Sequence, residues 1–548
     1  MTATSNTPPP PPNTTGKPAV DRDDGGKGLK SGAIGLASSV VVGVASTAPA
    51  YSLAATLGYV VILVGLQAPA IIVLAFVPIL FVSIGYQQLN KREPDCGTTF
   101  TWATKAFGPK TGWMGGWGII AADVLVMASL AQVAGQYVFL LFGADGIGSN
   151  AASSWVLLVG LIWMALMTWV CYRGVELSAN IQKALLALEV IVLVIFAVTA
   201  LVKGLGSSAP ETAISPSWDW FNPFKVDGIN TFAQGIILML FIYWGWDSAV
   251  AINEETKDRD KTPGRAAIIS TVLLLVTYVI VSLASQSYAG VGDTGIGLAN
   301  EDNATDILSV VGNAVFGDSA FGQVMSKLLI LLVLTSAAAS TQTTILPTAR
   351  TTLSMAVYKA IPETFAKIHP KYFSPTSSTI WMGVVSAAFY LAVNFYSDGG
   401  LIADAVTAIG MLIAFYYGLT GFACAWYYRK ELLHSARTFF LCGVIPLLGG
   451  LIMFGGLVLT IVQDYKPINS YVVFTVWGTD SQIGWAFLLG VGSFILGLVL
   501  MAVAMVKYKP FFRGETLNRD TPILAREDDA LVGVLPDSRE NLVLPPND

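Results

Sequence analysis

Apolar runs of about 20 residues, the length a helix needs to cross the hydrocarbon of a bilayer, recur along this chain between polar connections. They fall at 34–64, 68–89, 113–142, 153–172, 181–202, 229–253, 266–289, 324–349, 378–396, 402–427, 439–462 and 484–506. The pattern predicts about twelve membrane crossings and an all-α polytopic protein. Residues 1–33 are rich in Pro, Thr, Gly and charge and lack the apolar core of a signal peptide, which predicts a disordered arm. Residues 508–548 are polar and charged with scattered prolines and read as a tail.

Two of the runs are interrupted. The sixth contains Phe241-Ile242-Tyr243-Trp244-Gly245-Trp246-Asp247-Ser248, which sets a carboxylate, a glycine and bulky rings in the middle of a crossing. A charge at that depth is costly and marks a functional site by default. The glycine lets the helix open, and open backbone in a membrane is tolerated only inside protein or along a cavity. The first run is interrupted at Ser46-Thr47-Ala48-Pro49, where proline cannot continue the helical ladder. Breaks at matching positions, five crossings apart, point to an inverted-repeat transporter with a binding site near the midplane.

Composition agrees. Of 548 residues, 54% are hydrophobic and 12% charged, against about 25% charged in soluble chains, and the mean hydropathy is +0.63. The net charge of −5 averages connections of opposite character. Lys91, Arg92, Lys105, Lys110, Arg173, Lys257, Arg259, Lys261, Arg265, Arg350, Lys359, Lys367, Lys371, Arg429, Lys430 and Arg437 fall on one side. The loop 290–323 on the other side is acidic. The positive-inside rule then predicts both termini in the cytoplasm of a cell-membrane protein.

Chemistry is narrowed by what the spans contain. Cys96, Cys171, Cys424 and Cys442 form no CxxC pair, so metal and disulfide readings are weak. His369 and His434 lie in predicted inner loops, which leaves carboxylates as proton carriers. Gly108-Pro109-Lys110-Thr111 lacks the glycine before lysine that a phosphate cradle needs. No nucleophile–base or metal constellation appears, so neither an enzyme, a cofactor nor an ATP-driven pump is expected.

Four stretches then resemble the amino acid–polyamine–organocation (APC) superfamily of permeases, in its order. They are Pro94-Asp95-Cys96-Gly97-Thr98-Thr99-Phe100-Thr101-Trp102 with Ala106-Phe107-Gly108-Pro109; Tyr172-Arg173-Gly174-Val175-Glu176-Leu177-Ser178; the broken stretch through Asp247 with Glu254-Glu255-Thr256-Lys257-Asp258; and Thr348-Ala349-Arg350 with Ile361-Pro362 and Ile368-His369-Pro370. The resemblance implies a LeuT-type fold of two inverted five-helix repeats over 34–428, with helices 1 and 6 broken and two peripheral helices over 429–507. It also implies secondary transport of amino acids or related amines. One departure stands out. The family's first break carries Gly-x-Gly, whose bare N–H groups bind the substrate carboxylate, whereas the matching positions here are Thr47 and Pro49.

The expected substrate site comprises Ser46, Thr47 and Ala48 from the first break and Phe241, Tyr243, Trp244, Gly245, Trp246 and Asp247 from the second. Asp247 binds the substrate amine, carries a proton, or caps the inner half-helix. The rings form the pocket wall or simply pack, and an aromatic face attracts an ammonium group. Glu189 sits mid-crossing; by resemblance its position faces helices 1 and 8, so it couples a proton or sodium ion, with Ser336 and Ser340 as neighbours, or serves as an interhelical hydrogen-bond acceptor. Asp123 lines the cavity or reaches water near a helix end. The expected activity is proton-coupled amino acid symport by alternating access. Cationic amino acid or polyamine exchange, and a sensor that has lost transport, are the competing readings.

Overall fold

A backbone at membrane depth must satisfy its own hydrogen bonds, and the computed structural model accordingly turns each apolar run into helix. It describes residues 26–523 except 208, 305, 398–399 and 477–478. Most of the expected arm and the end of the expected tail lie outside the described residues. In chain order the helices are α1 (Leu36–Ser46), α2 (Pro49–Val64), α3 (Ala68–Arg92), α4 (Thr99–Phe107), α5 (Pro109–Leu141), α6 (Ser154–Tyr172), α7 (Val175–Gly204), α8 (Ile229–Ile242) and α9 (Ser248–Ala251). They continue with α10 (Thr262–Ala289), α11 (Ile307–Phe316), α12 (Ala320–Val357), α13 (Thr376–Ser397), α14 (Gly400–Tyr427), α15 (Ile445–Asp464), α16 (Trp485–Lys507) and α17 (Lys509–Phe512).

Ten helical stretches among the described residues are long and apolar enough to cross a membrane, the first comprising α1, α2 and α3 from Leu36 to Arg92. The protein is a multi-pass, all-α membrane protein. Both predicted interruptions are present. α1 gives way to α2 at Thr47–Ala48, and α8 to α9 across Tyr243–Asp247. Ala48 takes a left-handed conformation (φ 46°, ψ 66°), which costs an L-residue about 1–2 kcal/mol. Pro49 then opens α2 at its first position, where the missing N–H is no loss.

These breaks are enclosed by the long helices. α5 and α12 pack along one another, α3 lies between α10 and α15, and α14 joins α5, α3 and α15. The main apolar cluster draws on α2, α3, α5, α7, α10, α12 and α14, and numerous polar and charged side chains are buried among the same helices. Among its large, fully buried side chains are Trp246, Tyr243, Tyr278, Tyr416 and Tyr417. The faces of α7, α13, α15 and α16 that carry Ile191, Val194, Val384, Leu451, Val499 and Val503 are exposed, as lipid-facing surfaces should be.

Two features depart from the sequence expectation. The end of the arm is packed rather than loose: Lys27 is buried, and Ile34 exchanges backbone bonds with the end of the second broken helix, Ile34 N–H to Glu255 (2.9 Å) and Lys257 N–H to Ile34 (2.8 Å). A buried partner for its charge explains why a polar segment orders there. Between α15 and α16 a small antiparallel hairpin, β1 (Val473–Thr475) and β2 (Gln482–Gly484), pairs Val473 with Gly484. Asp404 anchors its approach by accepting the N–H groups of Tyr471 (2.9 Å) and Val472 (2.8 Å).

Candidate functional site

The two breaks touch. A Cβ on Gly245 would sit 2.8 Å from the Ser46 carbonyl oxygen and 2.9 Å from its hydroxyl, and the residue has φ 116°. Both the close approach and the backbone angle therefore require glycine there. Hydroxyls staple the junction. Ser46 and Ser248 share a bond of 2.9 Å, Ser248 Oγ reaches the Thr343 carbonyl at 3.1 Å, and Ser340 Oγ donates to the Ser46 carbonyl at 2.9 Å. Carbonyls freed by the breaks are satisfied in this way, as buried polar groups must be. The Ile242 carbonyl is met by the Tyr278 hydroxyl (2.5 Å), and that of Thr47 by Ser52 Oγ (2.6 Å).

Around this junction lies a small cavity of about 10 Å³, lined by Ser46, Asp123, Trp244, Gly245, Asp247, Ser248, Thr344 and Pro347. Two carboxylates border it and, among the described residues, no lysine, arginine or histidine does. Asp247 is buried and held only by neutral donors: the Tyr417 hydroxyl to Oδ1 (2.8 Å) and the Tyr416 hydroxyl to Oδ2 (3.3 Å). Trp244 Nε1 donates to the Tyr416 oxygen and fixes that ring. Asp123, also buried, accepts from the Thr348 hydroxyl.

The expected site residues divide on this geometry. Ser46, Trp244, Gly245, Asp247 and Asp123 come together at the cavity. Thr47 and Ala48 are next to it, but their N–H groups are spent on the Val44 (3.1 Å) and Ala45 (3.2 Å) carbonyls, and the Thr47 hydroxyl also bonds Val44 (2.7 Å). Tyr243 and Trp246 face the scaffold. Tyr243 donates to the Ile72 carbonyl (3.0 Å), and Trp246 packs between Tyr86 and Tyr417 at ring distances of 5.0 and 5.2 Å. Phe241 lines a separate apolar cavity with Ile79, Ile413 and Met453.

Glu189 lies apart from the cavity wall, in a junction of its own. Its Oε1 accepts the Ala50 N–H at the start of α2 (2.7 Å) and the Ser336 hydroxyl of α12 (2.9 Å). Its Oε2 is buried and has no hydrogen-bond partner among the described residues. A carboxyl oxygen left bare at that depth is expensive unless a proton or cation meets it. An acid at the N-terminus of α2 also gains from the helix dipole.

A second cluster seals the end of the molecule that carries Lys27. The Lys27 ammonium bonds Asp95 Oδ2 (2.7 Å) and Glu254 Oε1 (2.6 Å). Asp95 accepts four further donors, each at 2.8 Å: the Gly97 N–H and the Thr101, Ser354 and Tyr358 hydroxyls. Burial alone would push the Asp95 carboxyl up, but the Lys27 ammonium and these bonds outweigh it and hold it at about 2. Burial alone would lower Lys27; Asp95, Cys96 and Glu254 together raise it well above its ordinary value. Beside them Arg350 grips Glu255 with two bonds, 2.7 Å from Nε and 3.0 Å from Nη2, the bidentate geometry arginine favours. Asp95, Cys96 and Glu254 come close enough to hold a metal, but the Lys27 ammonium already fills their centre.

Sequence reading missed Tyr416 and Tyr417, Thr344, Pro347 and Lys27. The tyrosine pair carried a signal: two adjacent phenols in mid-crossing need partners. Lys27 carried none, because its partners are far away in sequence.

Comparison with known proteins fits this architecture. Residues 31–487 match the model of a family described as amino acid permease. An uncharacterized transporter of Mycobacterium tuberculosis is 26% identical over 385 residues, covering 68% of this chain and 76% of the relative. The low-affinity putrescine importer PlaP of Escherichia coli is 23% identical over 419 residues, with 76% and 86% coverage. The branched-chain amino acid permease BcaP of Lactococcus lactis is 24% identical over 264 residues, with 43% and 52% coverage. With its two broken helices enclosing an acidic cavity, the chain is a membrane-spanning transport protein that belongs to the amino acid permease family of the APC superfamily.

Proposed function

We propose that the protein is a secondary transporter of small amine-bearing organic cations, working by alternating access and coupled to a proton through Glu189. The observation that carries this reading is the cavity wall. Asp247 and Asp123 border it, no basic side chain opposes them, and the backbone donors that would seize a substrate carboxylate are engaged elsewhere. Charged groups in a dry site must be matched, so an ammonium group is the partner the wall lacks. Trp244 offers a ring face to the same charge. Two carboxylates also suit a substrate with two amines, and PlaP, a relative by sequence, is a putrescine importer.

In this reading the LeuT-type arrangement supplies two repeats that rock about the junction, with both termini and the Lys27 cluster in the cytoplasm. Glu189 bonds the start of α2 and α12, so loading its bare oxygen changes how those helices hold together. A sodium ion in place of the proton is the competing form of coupling, since hard cations take carboxylate oxygens. Zwitterionic amino acids are the second reading for substrate. The Ser46 and Ser248 hydroxyls at the cavity favour it, because on exchanging their bonds to one another and to Thr343 they would supply neutral donors to a carboxylate.

The test is uptake by purified protein in liposomes, at clamped potential with an imposed pH gradient, of labelled putrescine, lysine and leucine. Proton-dependent uptake of the diamine and lysine with little leucine supports the proposal. Uptake confined to leucine overturns the substrate class, and uptake that follows sodium rather than pH overturns the coupling ion.

A further inference from the structure

The family match ends at residue 487, yet the chain packs onto the core as far as Thr521. After α16 and Tyr508, the segment from Lys509 to Thr521 folds back onto α4 and the helix ends beside it. Phe511 is fully buried and stacks on Phe100, with ring centroids 5.5 Å apart and planes at 25°. Leu517 is fully buried as well. The Thr516 hydroxyl donates to the Tyr358 carbonyl (2.6 Å), and Arg519 Nη2 to the Tyr427 carbonyl (3.0 Å). Lys105 bridges two parties: it pairs with Glu93 (2.7 Å) and donates to the Thr521 carbonyl (2.7 Å).

All of these contacts fall on the stretch 93–107 or on the ends of α12 and α14 that flank it. That stretch also holds Asp95, the counter-ion of Lys27. Tyr358 connects the two sides: its carbonyl takes Thr516, and its hydroxyl donates to the Asp95 oxygen that binds Lys27. Lys27, like the tail, lies outside the 31–487 match. The segment 93–107 is therefore held both by Lys27 and by the segment 509–521.

We infer that residues 509–521 are a brace that holds the cytoplasmic side of the transport path shut, so that undocking of this segment governs how readily the site opens inward. The inference rests on the reading above that the protein alternates access and that this end is cytoplasmic. The brace acts through position: it touches no residue of the cavity, and it loads the inner loop on which the Lys27 cluster is built. A membrane-side factor that displaced the segment would speed inward opening without altering the binding residues.

Cys96 is a native reporter. It is fully buried against Glu254 and the Arg350 carbonyl, and burial, with Glu254 beside it, pushes its thiol well up. It reacts only when the inner side opens. The experiment uses the full chain with Cys171, Cys424 and Cys442 replaced by alanine, in inside-out vesicles, and measures the rate of Cys96 alkylation by a membrane-impermeant maleimide. No substrate is needed, so failure here is separable from failure of the proposed function. Phe511→Ala is expected to raise the rate about tenfold or more, since a buried ring is lost. Thr516→Val removes one hydrogen bond and is expected to raise it about threefold; it carries the test if Phe511→Ala does not fold. Glu515→Gln is the control, because that side chain is exposed and its ion pair among the described residues is with Arg513 at 3.6 Å. Unchanged alkylation in Thr516→Val and Phe511→Ala overturns the inference. So does an equal rise in Glu515→Gln, or a fall in melting temperature that accounts for the whole rise.

Discussion

The cavity and the Lys27 cluster both bury carboxylates, and they treat them in opposite ways. Asp95 receives five donors including an ammonium, and Glu255 receives a bidentate guanidinium. Asp247 receives two phenols, Asp123 one hydroxyl, and Glu189 keeps a bare oxygen. The same residue type is thus saturated where it holds the fold together and left short of positive charge at the cavity and beside the broken helix, where we propose that the path runs. On the proposed function, that deficit is what would let these groups meet a passing cation or proton.

The sharpest way to break the contrast is to empty the saturated side. Asp95→Ala leaves the Lys27 charge buried with half its partners, and breaking such a pair costs about 3–5 kcal/mol. A large fall in melting temperature in detergent is expected, with transport lost through stability rather than affinity. The sign of the pH effect follows. With Asp95 held at about 2, its contribution is complete above the ordinary carboxylate range and is lost only as pH falls through about 2. Lys27, raised above its ordinary value, contributes fully below it and fails only at more alkaline pH. The contribution of this pair to the melting temperature should therefore be flat from about pH 5 to 8, and a slope there that vanishes in Asp95→Ala contradicts the assignment.

On the unsaturated side, Asp247→Asn keeps the shape and removes the charge. Apparent affinity for a cationic substrate should fall about a hundredfold, as for other desolvated charge pairs, with little change in melting temperature. Glu189→Gln acts on coupling instead. One coupled proton gives about tenfold accumulation per imposed pH unit at zero potential. That accumulation should disappear while counterflow exchange survives; retained accumulation removes Glu189 from the coupling role. The smallest effect belongs to Thr47→Val. Its hydroxyl is engaged with Val44 and does not line the cavity, so affinity should change less than about threefold. A larger loss would return the first break to substrate binding.

Much of this was legible in the chain, for identifiable reasons. Membrane helices are written as local apolar length, so the spans and both interruptions could be read directly. Ser46, Gly245 and Asp247 were legible because a polar or flexible group in mid-crossing is itself the anomaly. What could not be read was orientation. Trp244 and Trp246 are two residues apart in an irregular turn, and only the turn decides that one faces the cavity and the other the scaffold. Long-range pairing was equally hidden: Lys27 meets Asp95 and Glu254 across 68 and 227 residues, and nothing local to a polar arm announces a buried partner. The tail's docking was hidden for the same reason, since the short ring cluster Tyr508, Phe511 and Phe512 in a polar segment does not say which surface it meets.

Equilibrium binding of labelled putrescine to the purified protein, measured for the wild type and for an Asp123→Asn, Asp247→Asn double variant with leucine as competitor, tests the central claim most directly. The account predicts saturable binding that excess leucine does not displace and that the double variant abolishes while still folding. Diamine binding that survives loss of both carboxylates, or that leucine displaces, would contradict it.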